Sequence, residues 1–203
     1  TGAAYQLVFN NEKAPWNDVR LRQAVKLAVD IDAIVNALYL GTFPRAWSPL
    51  TSATFGYDAS LENSYKVDLD QSNKLLDEAG WTKGADGFRV KDGQTLTLQY
   101  VDIAGNREKR NDIAQMIQQQ LKDVGIKMEL NITASGPYLD ALKSASYDLA
   151  GQSFSSGDPD VLRTLFSKKN WSNGEYANSN MARFADDQVE QWLDEGFKET
   201  DPA

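Results

Sequence analysis

Between Thr95 and Ile132 the chain repeats a pattern that few folds can house. An extended run reaches Tyr100, a long helical stretch then places Ile113, Met116, Ile117, Leu121 and Val124 on one face, Gly125 stops it, and Ile126 to Ile132 is extended again. Strand, helix and strand at this spacing predict a βαβ crossover, with two parallel strands in one sheet and a right-handed connection. The fold class that follows is α/β in the wide sense, mixed α+β with a mixed sheet and flanking helices.

The 203 residues suffice for one sizeable domain and leave little room for two. Apolar residues make up 41% and charged ones 25%, and no apolar run approaches the roughly 18 residues of a membrane span, so an ordinary globular core is predicted. A formal charge of −8 without a lysine/arginine stripe argues against a nucleic-acid partner. The chain has neither cysteine nor histidine, which removes thiolate nucleophiles, the commonest general base and the usual transition-metal ligands. Most hydrolase and metalloenzyme designs are thereby excluded, and no catalytic residue, metal or cofactor is expected.

Around the crossover, further elements are legible. Tyr5 to Asn10 reads as extended. Pro15-Trp16-Asn17-Asp18 supplies turn and cap residues before a helix with Leu21, Ala24, Val25 and Ala28 at helical spacing. Asp30 and Asp32 cap a second short helix that Gly41 can end. From Thr42 to Asp68 periodicity is lost, and Trp47, Phe55, Tyr57 and Tyr65 stand among Ser, Thr, Gly and Pro. A loop of that length is either functional or a set of aromatic plugs pinned to the core. Asp70 to Ala79 reads as a helix closed by Gly80, and Gly87 to Leu96 as a hairpin turned at Asp92-Gly93, its second strand continuing to Tyr100.

A short helix at Tyr138 to Lys143 leads to a strand at Tyr147 to Ala150 and then to a polar, glycine-rich stretch, Gly151 to Asp160. Open α/β sheets bind ligands at the carboxyl ends of their strands, which makes Gln152, Phe154, Ser155, Ser156 and Asp158 candidate ligand contacts. The alternative is that Asp158 or Asp160 caps the helix carrying Val161, Leu162 and Leu165. Trp47 joins the candidates from the aromatic loop. A last helix carries Val189, Trp192 and Leu193. Both ends read as cut, since Thr200-Asp201-Pro202 is a helix start with no helix behind it.

Several stretches taken in order resemble one family, the extracellular solute-binding proteins of family 5. They are Phe9-Asn10, the run from Pro15 to Ala24 leading into Ala28-Val29-Asp30, Leu75 to Trp81, Asp86-Gly87-Phe88 with Lys91 to Leu96, Leu121 to Ile126, and Tyr147-Asp148-Leu149. The resemblance implies the second lobe of a two-lobed protein, here as an excised single lobe spanning 1–203. It also implies capture of a peptide or similar small polar solute between the lobes, and docking of the closed form on an ABC permease. The location implied is extracytoplasmic, periplasmic or lipid-anchored. Family members that bind peptides place an Asp for the ligand's amino group a few residues beyond the Tyr-Asp strand. Here that Asp is either missing, with Ser155 or Ser156 in its neighbourhood, or displaced to Asp158. An oligosaccharide-type ligand suits Ser, Gln152 and the aromatic residues at least as well. The two readings outside this class are a protein-interaction module and a carboxylate-based glycosidase.

Overall fold

The computed structural model describes residues 4–105, 107–154, 156–171 and 179–199. In chain order the elements are β1 (Ala4–Phe9), α1 (Val19–Ala28), α2 (Ile31–Tyr39), α3 (Leu69–Glu78), the short strands β2 (Thr82–Lys83), β3 (Arg89–Lys91) and β4 (Gln94–Thr95), then β5 (Thr97–Ile103), α4 (Arg110–Asp123), β6 (Lys127–Thr133), α5 (Ser135–Ser144), β7 (Leu149–Phe154), α6 (Val161–Phe166) and α7 (Asp187–Lys198). Ser155 and the segment Thr200-Asp201-Pro202, singled out from the sequence, lie outside the described residues.

Four strands form the central sheet in the order β1–β7–β5–β6. β5 runs parallel to β6 from Thr97↔Lys127 to Ile103↔Thr133, with α4 between them in the chain, so the crossover predicted from the sequence is present. β5 is also parallel to β7, while β1 closes the other side of β7 antiparallel, which makes the sheet mixed. The remaining short strands pair as a separate three-stranded sheet, β2–β3–β4.

α1, α2 and α3 each begin where a side chain can satisfy a free N–H group of the first turn. Asp18, Asp30 and Asp68 accept from Arg20, Ala33 and Gln71 at the starts of α1, α2 and α3. α2 ends one residue before the expected glycine. Leu40 itself adopts the left-handed conformation, with φ of 51°, and its N–H bonds back to Asn36. Gly125, which stops α4, is obligatory for a second reason: at φ of 83° a Cβ there would lie 2.9 Å from the Gly87 carbonyl oxygen and from Arg89 Cγ.

The main apolar cluster fills the space between the sheet and α1, α3 and α4, with Trp16, Leu21, Leu76, Leu96, Leu98, Tyr100, Leu121 and Ile126 buried together. A smaller cluster of Val101, Leu142, Tyr147, Ala150 and Met181 packs on the α5 side. Alternation along β5 explains the split, because residues two apart share a face. The 42–68 segment is irregular apart from one 3-10 turn, Ala59–Leu61. Tyr65 and Leu50 are buried plugs, and the Tyr65 hydroxyl donates to the Val29 carbonyl, whereas Phe43 and Phe55 stand in solvent.

Two expected boundaries are corrected. The second strand of the hairpin does not run on to Tyr100: β4 ends at Thr95, and the chain crosses at Leu96 from the small sheet into the main one, donating to Arg89 and accepting from Lys127. The second correction bears on function. Gly151, Gln152, Ser153 and Phe154 are strand and not loop, since β7 pairs with β1 as far as Ala4↔Phe154. A small, polar composition reads as loop, but an antiparallel partner from the opposite end of the chain supplies the ladder hydrogen bonds that make it strand.

Candidate functional site

Because β5, β6 and β7 run in one direction, Ile103, Thr133 and Phe154 end on one edge of the sheet, and β1 starts there at Ala4. Three other segments are tied to this carboxyl edge. The Tyr39 hydroxyl donates to the Glu108 carbonyl and the Lys109 ammonium to the Leu38 carbonyl, which anchors the end of α2 beside the start of α4. Leu40 and Phe43, exposed by 86% and 59%, are carried to the rim by that anchor. Thr54 donates to the Ser156 carbonyl at 3.3 Å, and a Cβ added at Gly56 would lie 3.9 Å from the Pro159 side chain, so the aromatic loop reaches the segment after β7.

At this edge β5 and β7 part. Their pairing covers Tyr100↔Leu149 and Val101↔Ala150, and the opening beyond is filled by side chains. Asp102, fully buried, places Oδ2 within 2.9 Å of the Tyr5 hydroxyl and 2.7 Å of the Tyr100 hydroxyl. Its Oδ1 accepts from the Ile103 N–H and, at 3.3 Å, from Arg110. Arg110 also donates to Glu108 and to the Ser153 hydroxyl, and its guanidinium lies 4.7 Å over the Tyr5 ring. Burial, reinforced by the Asp102 charge, holds the Tyr5 phenol far above its ordinary pKa; burial and the neighbouring Tyr5 do the same for Tyr100. Both therefore keep their protons and act as donors to the carboxylate. Gly151 is the only residue type that fits against this knot: a Cβ would come 2.5 Å from the Tyr5 hydroxyl and closer still to Asp102 Oδ2.

None of Asp102, Arg110, Tyr5, Tyr100 or Ser153 was singled out from the sequence. The available signal was Asp102 itself, a charge at the position of β5 that alternation assigns to the same face as the buried Leu98 and Tyr100.

The predicted residues divide into two groups. Gln152, Phe154, Ser156 and Asp158 follow one another along the end of β7 and its exit. Gln152 is 5% exposed, stands opposite Gln6 of β1, and its amide oxygen is buried without a hydrogen-bond partner. The Ser156 hydroxyl accepts from the Asp158 N–H, and Asp158 Oδ1 accepts from the Asp160 N–H at 2.9 Å, so Asp158 shapes the turn into α6 while remaining exposed. Asp160 occupies the cap position of α6 without capping it, its carboxylate being bonded to Arg163.

Trp47 belongs elsewhere. Its ring lies 3.7 Å from the Arg45 guanidinium, which also approaches Tyr65 and bonds to Asp32, beside a cavity of about 340 Å3 lined by Asp30, Asn63 and Lys66 among others. Burial pushes the Tyr65 phenol up to about 12. Among the described residues no group of three acidic side chains is placed to hold a metal ion, and no helix is long and apolar enough to cross a membrane.

A mixed sheet with helices packed on it, and loops gathered at the carboxyl edge of its parallel strands, define the class: the α/β architecture of periplasmic binding proteins. A solved structure of that class, the periplasmic oligopeptide-binding protein from Thermotoga maritima, superposes with a TM-score of 0.85 at 24% identity, covering 98% of this chain and 39% of that one. The family model of bacterial extracellular solute-binding proteins, family 5 (middle part), matches residues 1–174, and the chain belongs to that family. It is similar to heme-binding protein A of Haemophilus influenzae, at 30% identity over 94% of this chain, and to the dipeptide-binding protein of Escherichia coli, at 32% over 79%. The chain spans about a third of the length of these relatives, 33% and 29%.

Proposed function

We propose that this chain is the second of two lobes, and that its carboxyl edge is one wall of a cleft that shuts on a small polar solute of peptide type. The intact protein then works outside the cytoplasm, in the periplasm or lipid-anchored at the cell surface, and presents its closed form to an ABC permease. It binds and releases, with no catalytic step. The observation that carries this reading is the convergence at one edge of the ends of β5, β6 and β7, the end of α2 and the tip of the aromatic loop, in a chain of this family. Ligands of α/β sheets sit at such edges. Gln152, Phe154, Ser155, Ser156 and Asp158 are the proposed contacts, with Trp47 set back from them against Arg45.

Closure of a hinged pair requires the ligand to touch both walls, so this lobe alone should bind weakly and the intact protein well. Titration calorimetry of both forms against peptides and oligosaccharides tests it. Silence of the intact protein toward every member contradicts the proposal, as does equal affinity of lobe and whole.

A further inference from the structure

A solute enclosed at this edge must find partners for its polar groups, because a buried group left unpaired loses its hydration with nothing in return. An ammonium in particular needs an available carboxylate. The acidic side chains here are already committed. Asp102 is saturated by two phenols, a backbone N–H and Arg110; Glu108 is bonded to the same arginine; Asp160 is bonded to Arg163; Asp112 is likewise engaged. Asp158 is exposed and closes its own turn on the Asp160 N–H.

The unmet need lies on a neutral group. Gln152, 95% buried by its 5% exposure, carries an amide oxygen with no hydrogen-bond partner, two residues before the end of β7. An amide offers one acceptor and two donors and carries no charge, so it suits a ligand amide or hydroxyl, which can both give and take.

We infer that the solute is gripped at this edge through uncharged amide or hydroxyl groups that complete the hydrogen bonding of Gln152, and not through an ammonium. The inference rests on the reading of the edge as a cleft wall, and names the chemistry that wall accepts. A peptide held in this way is recognised along its backbone amides; a sugar is recognised by its hydroxyls.

The test uses the intact protein and three probes in calorimetry: trialanine, N-acetyl-trialanine and maltotriose. The expected result is that acetylation leaves peptide affinity unchanged, or that maltotriose binds and the peptides do not. Whichever probe binds should keep its affinity from pH 7 to pH 9, across the range of about 7.7–8.0 in which an α-amino group titrates. Gln152→Leu should lower affinity roughly tenfold, with its melting temperature showing that it folds. Loss of binding on acetylation overturns the inference and leaves the solute-binding function standing. Silence toward all three probes overturns both. The acetylation and pH arms need no variant, so they decide the matter even if Gln152→Leu fails to fold.

Discussion

Two arginines are nearly withdrawn from water in this molecule, and they are held in opposite ways. Arg89, 2% exposed on β3, is held largely by main-chain oxygens: it donates to the carbonyls of Trp81 and Val124, to the carbonyl and side-chain oxygen of Asn73, and to Asp77 on the surface. Arg110, 7% exposed at the carboxyl edge, has side-chain partners throughout: Asp102, Glu108, Ser153 and the face of Tyr5. Arg89 ties the small sheet to the ends of α3 and α4, where helix carbonyls lack internal partners. Arg110 fills a gap that two parting strands leave at the carboxyl edge. One is a staple for the scaffold; the other shapes the edge proposed to meet the ligand.

That contrast can be broken experimentally, and the largest effect should come from the edge. Asp102→Ala takes the acceptor from two buried phenols and leaves Arg110 with Glu108 as its one counter-charge, so urea denaturation should show a loss of about 3–5 kcal/mol. Ligand affinity should fall with it. Arg89→Met strips the Trp81 and Val124 carbonyls of donors, with an expected loss of about 2–3 kcal/mol and unchanged ligand affinity in the intact protein. If Arg89→Met weakens binding as much as Asp102→Ala does, the division into scaffold and site is wrong. Gly151→Ala forces a methyl against Asp102 and the Tyr5 hydroxyl and should cost about 1–3 kcal/mol.

Alkali probes the same knot. Tyr5, Tyr100, Tyr138 and Tyr147 all have pKa values raised chiefly by burial, Tyr138 to about 12. Folding holds their protons on, so their stabilisation is complete below the ordinary phenol value of 10.0 and is lost as pH climbs through the raised values. Stability should drop by about 1.4 kcal/mol per pH unit for each such tyrosine above pH 10, with phenolate absorbance rising together with unfolding. At the small end, Leu40→Ser, at an exposed rim position, should alter stability by less than about 0.5 kcal/mol.

Much of the scaffold was legible before folding was considered. The capping aspartates 18 and 30, the stop at Gly125 and the Asp92-Gly93 turn act over a few residues, and each stands where its local chemistry requires. The site was legible only as a neighbourhood. Gln152, Phe154, Ser156 and Asp158 do lie at the end of β7, but the stretch through Phe154 reads as loop because its partner strand is at the other end of the chain. Trp47 is a candidate contact from its place in the long aromatic loop; its stack on Arg45, which also reaches Asp32 and Tyr65, was not legible in the sequence.

The amino-acid order by itself determined the βαβ core, the capped starts of α1 and α2 and the family pattern, since these arise from periodicity and from caps that act within a turn or two. Tertiary structure alone decided that β7 extends to Phe154, that β5 and β7 part after Val101 and Ala150, and that Asp102, Arg110 and Tyr5 meet in the opening. Strand pairing is a hydrogen-bond exchange between segments distant in the chain, and a buried charge is tolerated only where such pairing brings its counter-charge and donors together.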